Sequence, residues 1–322
     1  MKRITKNGWI GIAGSSLVFI ALILVASFYD LAINKALYAP HTLFGQFFDK
    51  LGQLPSYIAV PFAGAIFFRN KFGKTSRANL AFKLLSILFI FGGWSATLDW
   101  LWSGFVAPDV SFKSVYLMFF TLITTVGTLH VASHISSVTA RKLLIFAIFI
   151  VISFAISNII VQVMKIIWNR QRFRTMVDIP KNAELLAAYG KNFEGFTAWY
   201  KPMSILNLEI RTPEYMRLHL ALDSDAFKSF PSGHTVAASA AFGVILLPDI
   251  YEGLAKHRWK FTAFPALYVA LVAVSRIVMG AHYLSDVVFG GFIGFGVTVL
   301  LRHIFIGIAY KKGNLLPSKN EL

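Results

Sequence analysis

The stretch LLIFAIFIVISFAISNIIVQVMKII, Leu143 to Ile167, carries no charge before Lys165. A helix rising 1.5 Å per residue needs about 20 residues to cross about 30 Å of hydrocarbon, so this run is long enough to span a membrane. Working outward, further apolar runs lie at roughly 9–28, 52–68, 80–102, 114–133, 234–249, 262–279 and 285–308. The run at 52–68 is short and contains Pro61, and the run at 234–249 is also short. The expected fold is therefore an all-α polytopic membrane protein of about eight transmembrane helices. No internal repeat or flexible polar linker divides it, so 1–322 is read as a single integral membrane domain. KRITK precedes the first run, but that run is long and lacks a small-residue cleavage site, which favours a retained anchor over a signal peptide.

Composition agrees. Of 322 residues, 56% are hydrophobic and 14% charged, well under the ~25% charge of soluble chains. The absence of cysteine excludes disulfides, zinc–thiolate sites and a cysteine nucleophile, and leaves the compartment open. A net charge of +16 raises nucleic acid as a partner, but the distribution of charge argues against it. The N-terminus, the 69–79 loop with Lys83, the 134–142 and 249–261 loops and the tail hold 17 Lys/Arg and three acids. The opposite side of an eight-span topology receives 14 basic and 12 acidic residues. That asymmetry follows the positive-inside rule and places both termini in the cytoplasm. The long loop at 168–230 is then extracytoplasmic. Its GKNFEGFTAWYKP segment reads either as an interfacial anchor or as a cover over a substrate.

Three polar clusters interrupt the apolar pattern, all at the non-cytoplasmic ends of spans. In the first, Asn158, Gln162, Lys165, Asn169 and Arg172 recur every three or four residues. If the helix continues past the membrane boundary, this is one face, expected to look into the bundle because an unpaired polar group in lipid is costly. It reads as an anion-facing row or as a packed polar seam. The second is SFPSGHT, Ser229–Thr235. Ser232 can cap the following helix, whose exposed amides can hold phosphate oxygens beside His234; a simple turn and cap is the alternative. The third is SRIVMGAHYLSD, Ser275–Asp286. Asp286 lies one helical turn after His282, a spacing that would let its carboxylate accept a hydrogen bond from the imidazole and direct the other nitrogen outward. An interfacial structural pair is the alternative. Together the clusters bring cations, two histidines and one acid, an inventory suited to phosphate. Neither a compact carboxylate cluster nor an HExxH signature accompanies them, so no metal and no cofactor is expected.

These residues resemble the type-2 phosphatidic acid phosphatase superfamily. Its first motif, lysine, six residues, arginine and proline, is similar to Lys165–Phe173, with Phe173 in place of the proline. PSGH is complete at Pro231–His234, and Ser275, Arg276, His282 and Asp286 match the third motif. The resemblance is strongest over 143–308, the motif-bearing catalytic region, and implies a six-helix core with two additional spans. It also implies roles. His282 would attack phosphorus to form a phosphohistidine, Asp286 would hold its ring, and His234 would protonate the leaving oxygen and then activate water. Lys165, Arg172 and Arg276 would clamp the phosphoryl oxygens, aided by Ser232 and the Gly233 amide. The implied activity is metal-independent hydrolysis of a lipid phosphate or diphosphate in the plasma or inner membrane, with polyprenyl diphosphate favoured. A phosphotransferase using the same intermediate and an anion transporter are the alternatives. FGGFIGFG, Phe289–Gly296, is assigned only helix packing, and nothing in the sequence sets the oligomeric state.

Overall fold

The structure, a computed structural model, describes residues 6–106, 111–183, 195–202, 222 and 224–312. Among them every regular element is helical. In order these are α1 (Lys6–Leu37), α2 (Leu43–Leu51), α3 (Leu54–Arg69), α4 (Ser76–Phe105), α5 (Lys113–His134), α6 (Ser137–Trp168) and α7 (Phe173–Asp178). Then follow α8 (Gly233–Ala238), α9 (Leu247–Ile250), α10 (Lys260–Val278) and α11 (Leu284–Lys312), with short 3₁₀ turns between some of them. Among the described residues, eight segments are long and apolar enough to cross a membrane. Residues 190–194 of GKNFEGFTAWYKP lie outside the described residues, as do 184–189, 203–221 and 223 of the 168–230 loop.

Two spans differ instructively from the apolar pattern. The first run was expected to stop near residue 28, yet α1 continues to Leu37. Asp30 and Asn34 lie in that extension, and both are buried. Asp30 bonds Arg170 and Ser285, and the Asn34 amide donates to the His282 carbonyl, so these polar residues meet protein rather than lipid and do not end the helix there. The short sixth run is completed by geometry. Its segment Gly233–Ile250 passes through a 3₁₀ stretch at Ser239–Leu246, between α8 and α9. Since a 3₁₀ helix rises about 2.0 Å per residue, 18 residues reach roughly 31 Å rather than roughly 27 Å.

The described residues form two compact units. The first draws on Met1–Asp49, Ser157–Val236 and Val269–Ile293, the second on Lys50–Ile156, Ala237–Tyr268 and Gly294–Leu322. In the second, α6 turns Ile145, Phe146, Phe149 and Ile150 inward against Leu246, Ile250 and Leu301. Their spacing is that of one helical face. Asp249 there is paired with Arg302 and Arg258. Outward-facing residues such as Leu17, Phe28, Leu88, Val126 and Ile166 are mostly exposed, which suits hydrocarbon as the surrounding solvent.

The first unit holds all three motif clusters, and two glycines set their approach. Gly280 has φ +62°, and a Cβ there would fall 2.6 Å from the Tyr38 ring. It makes the turn that carries the chain from α10 to His282. Gly290 of FGGFIGFG lies against the PSGH turn, where a Cβ would come within 2.6 Å of the Ser232 carbonyl oxygen. A methyl group at this contact displaces backbone, not a flexible side-chain tip. Gly290→Ala is therefore expected to lower stability by about 1–3 kcal/mol, read as a lower thermal midpoint in detergent. An unchanged midpoint would show that α11 does not need this close approach.

Candidate active site

The nucleophile candidate is best understood from its hydrogen bonds. His282 sits in the tight connection between α10 and α11 and is 1% exposed. Its Nδ1 lies 2.5 Å from the Ser229 carbonyl oxygen. A carbonyl can only accept, so Nδ1 carries the hydrogen and donates it; the lone pair of the neutral ring is then on Nε2. Nε2 is buried and meets no hydrogen-bond partner among the described residues. Burial first, then the charges of Arg172, Arg276 and Lys165, hold the pKa of His282 well below the ordinary imidazole range, against an opposing pull from the Ser229 carbonyl. The ring is thus a neutral base surrounded by cations.

Asp286 does not take the imidazole hydrogen expected of it. Its Oδ2 is 3.7 Å from Nδ1, because Ser229 Oγ (2.5 Å) and the Tyr283 amide (2.8 Å) already donate to that oxygen. Its backbone oxygen accepts from the Ser232 amide at 2.9 Å. Asp286 therefore ties the PSGH turn and the histidine loop together, and acts on His282 through Ser229.

Behind this pair lies a buried ion cluster that motif reading missed. Arg170 donates to Asp286 Oδ1 at 2.6 Å and to Asp30 Oδ2 at 3.0 Å. Its Nε reaches the Thr197 carbonyl at 2.8 Å, and the Tyr283 ring lies 4.0 Å from its guanidinium carbon. Ser285 closes the cluster by bonding Asp30 through both amide and hydroxyl. From the same helix as Asp30, Asn34 donates to the His282 carbonyl at 3.0 Å. Asp30 and Asn34 stand four residues apart within an apolar helix, and that pattern was the available signal for an inward polar face. The GKNFEGFTAWYKP segment contributes through Thr197 and Trp199; the Trp199 carbonyl receives Trp168 Nε1 at 2.5 Å. Its described part is packed structure.

The first motif is not one continuous face. α6 ends at Trp168, Asn169 turns with φ +44°, and Arg172 is the extended residue before α7. Gln162 is exposed and its amide bonds Asn158, so the polar row does not look inward as a whole. Lys165 and Arg172 nonetheless belong to the same unit. Lys165 Nζ lies 3.3 Å from where a Gly233 Cβ would stand, and Arg172 bonds the side chain and carbonyl of Asp225. Phe173 fills the motif's proline position at the first residue of α7. A helix tolerates proline there because its amide is unneeded, so another residue fits as well. Phe173 is buried and packs edge-on to Tyr38 and Tyr283.

The PSGH turn follows a cis Phe230–Pro231 bond. Ser232 caps α8, its Oγ accepting from the Thr235 amide and hydroxyl at 3.3 and 2.9 Å. His234 places Nε2 3.8 Å from Asp49 Oδ1, and Arg276 is paired with that same oxygen. Asp49, on α2, had no place in the motif reading. Among the described residues no group of three or more His, Asp or Glu is arranged to hold a metal ion.

Comparison with known proteins meets this geometry. The PAP2 superfamily matches residues 146–308, just over half of the chain. Phosphatidylglycerophosphatase B of Bacillus subtilis (strain 168) is 36% identical over 66 residues, which are 20% of this chain and 32% of that protein. The chain thus spans about a third of the length of that relative. No solved structure matches.

Removing Arg170 would leave two carboxylates buried without their cation. Arg170→Met is expected to destabilise the protein by about 3–5 kcal/mol, as breaking a buried pair does. Thermal unfolding in detergent measures it, and a loss within about 0.5 kcal/mol, typical of a surface change, would contradict the central role of this residue.

Proposed function

The chain belongs to the PAP2 superfamily, and on that premise we propose that it hydrolyses the terminal phosphoryl group of a membrane lipid through a phosphohistidine. One observation carries the reading: a buried imidazole, its tautomer set by a carbonyl, has an unpartnered Nε2 in a cationic setting. Such a group is built to attack an anion, since proton and orientation are settled before substrate arrives.

In the proposed reaction the Nε2 lone pair of His282 forms a bond to phosphorus as the bond to the lipid oxygen breaks. His234 gives that oxygen a proton. His234 then takes a proton from water, whose oxygen attacks the phosphohistidine, releasing inorganic phosphate and restoring His282. Lys165, Arg172 and Arg276 balance the nonbridging oxygens; such preset charges stabilise the transition state without reorganising. Ser232 Oγ accepts two bonds within its turn, and its own hydrogen is directed to the phosphoryl group with the Gly233 amide. Asp286, close to Nδ1 but bonded elsewhere, stabilises the positive ring as the phosphohistidine forms and holds it through Ser229. No step calls for a metal.

The charge bias between loops supports a catalytic face outside the cytoplasm, with both termini inside. A site at the end of the spans lets a lipid tail stay in hydrocarbon while its phosphate reaches the cations. Polyprenyl diphosphate is the first substrate proposed. The likeness to phosphatidylglycerophosphatase B favours phosphatidylglycerol phosphate as the second. A panel of lipid mono- and diphosphates, assayed for released phosphate, separates them, and transfer to a second lipid in place of release would identify a phosphotransferase.

In this assay, with EDTA present, the parent protein is expected to release phosphate, and His282→Ala to release none and form no phosphoenzyme while still inserting in membranes. Turnover by that variant near the parent rate would rule out the nucleophile. The depressed pKa also has a sign. Attack needs the neutral ring, so a lowered pKa moves the acid limb of kcat/KM downward. Its midpoint is expected below the ~6.5 of an ordinary histidine, and a midpoint above that value would contradict the cationic setting of His282.

A further inference from the structure

Resting on the reading just proposed, we infer that Asp49 is a resident stand-in for the phosphoryl group, seated between Arg276 and His234 and displaced when substrate binds. The position of its Oδ1 is the first reason. One oxygen is paired with Arg276 Nη1 and lies 3.8 Å from His234 Nε2. A substrate phosphoryl group held by Arg276, with its leaving oxygen protonated by His234, must present oxygens to these same two groups. Carboxylate and phosphoryl group cannot share that place.

The second reason is what Asp49 leaves unused. Arg276 Nε is buried and has no hydrogen-bond partner among the described residues. A guanidinium offers two parallel donors to a bidentate oxyanion, and here the carboxylate meets Nη1 through one oxygen. Asp49 meets both Arg276 and His234 through the single oxygen Oδ1, whereas a phosphoryl group brings three oxygens to the same two residues.

The third reason is an asymmetry in freedom to move. The Arg276 side chain is 1% exposed, whereas that of Asp49 is 34% exposed. A buried cation without a counter-ion is costly, so Arg276 needs an anion at all times. Asp49 supplies one before substrate arrives, and its part-exposed side chain is the freer of the two to move aside. Its helix makes this possible. α2 presents Gly45 and Asp49, four residues apart, on one side, with Gly45 against Met279. Leu43, Phe44 and Phe47 are exposed on the rest of α2. Rotating a single side chain clears the seat without moving the helix.

The consequence is competition between an internal and an external anion. Asp49→Asn keeps shape but removes charge, leaving Arg276 with no internal counter-ion. Orthovanadate binding to the full-length protein in detergent, measured by calorimetry, reads this directly and does not depend on turnover. Asp49→Asn and Asp49→Ala are each expected to bind orthovanadate at least about tenfold more tightly than the parent, as loss of a competing charge pair predicts. Asp49→Glu is expected to stay near the parent. Unchanged or weaker binding in Asp49→Asn, with the parent binding normally, would overturn the inference. A lowered kcat in that variant without tighter binding would also overturn it, and would make Asp49 a positioning partner of His234. Failure of parent and variants alike to bind orthovanadate would instead remove the proposed phosphoryl site, and this inference with it.

Discussion

The candidate site depends on one cation that touches no proposed substrate. Arg170 is 1% exposed and stands between Asp30 and Asp286. Two carboxylates buried without a counter-ion would be costly, and so would the guanidinium without them. The arrangement therefore forms as a set or not at all. Through it the first helix, the turn after α6 and the start of α11 are brought to one geometry. Ser229 extends that geometry to His282: its hydroxyl is held by Asp286, its amide by the Arg170 carbonyl, and its own carbonyl holds the imidazole.

Two arginines illustrate how pairing separates structure from chemistry. Arg170 is enclosed by two buried carboxylates, a serine hydroxyl, a carbonyl and an aromatic ring. Nothing in that shell leaves easily, so its charge is spent on position. Arg276 is equally buried, yet its carboxylate partner is part-exposed and its Nε is unmatched. The first arginine is a closed joint; the second has a shell left incomplete, as the inferred exchange of its anion requires. Burial alone would not distinguish them; the completeness of the hydrogen-bond shell does.

His282 shows the same economy. A histidine among cations stays neutral, and a neutral ring has one donor and one acceptor nitrogen. Fixing the donor on Ser229 decides the acceptor. Had Asp286 taken Nδ1–H directly, the tautomer would be the same, but the carboxylate would no longer be available to the Ser229 hydroxyl and the Tyr283 amide. The observed division lets one acid order three segments of backbone.

Much of this protein was legible in its residues. Apolar runs marked the spans because the cost of burying charge in hydrocarbon is local and needs no knowledge of the fold. Lys165, Arg172, PSGH and the Ser275–Asp286 stretch marked the candidate site because their spacing is short-range. Pattern went wrong where tertiary partners override local cost. α1 runs on past Asp30, α6 stops before Arg172, and Gln162 faces outward. Asp30, Asp49 and Arg170 drew no attention because their meaning lies in contacts across 140, 227 and 116 positions of chain. Local sequence alone was enough for the helical class with eight apolar spans and for the family resemblance of the motif residues. Which oxygen orients the His282 ring, and which carboxylates neutralise the arginines, came from tertiary contacts, because electrostatic pairing depends on distance in space and residues far apart in the chain supply it.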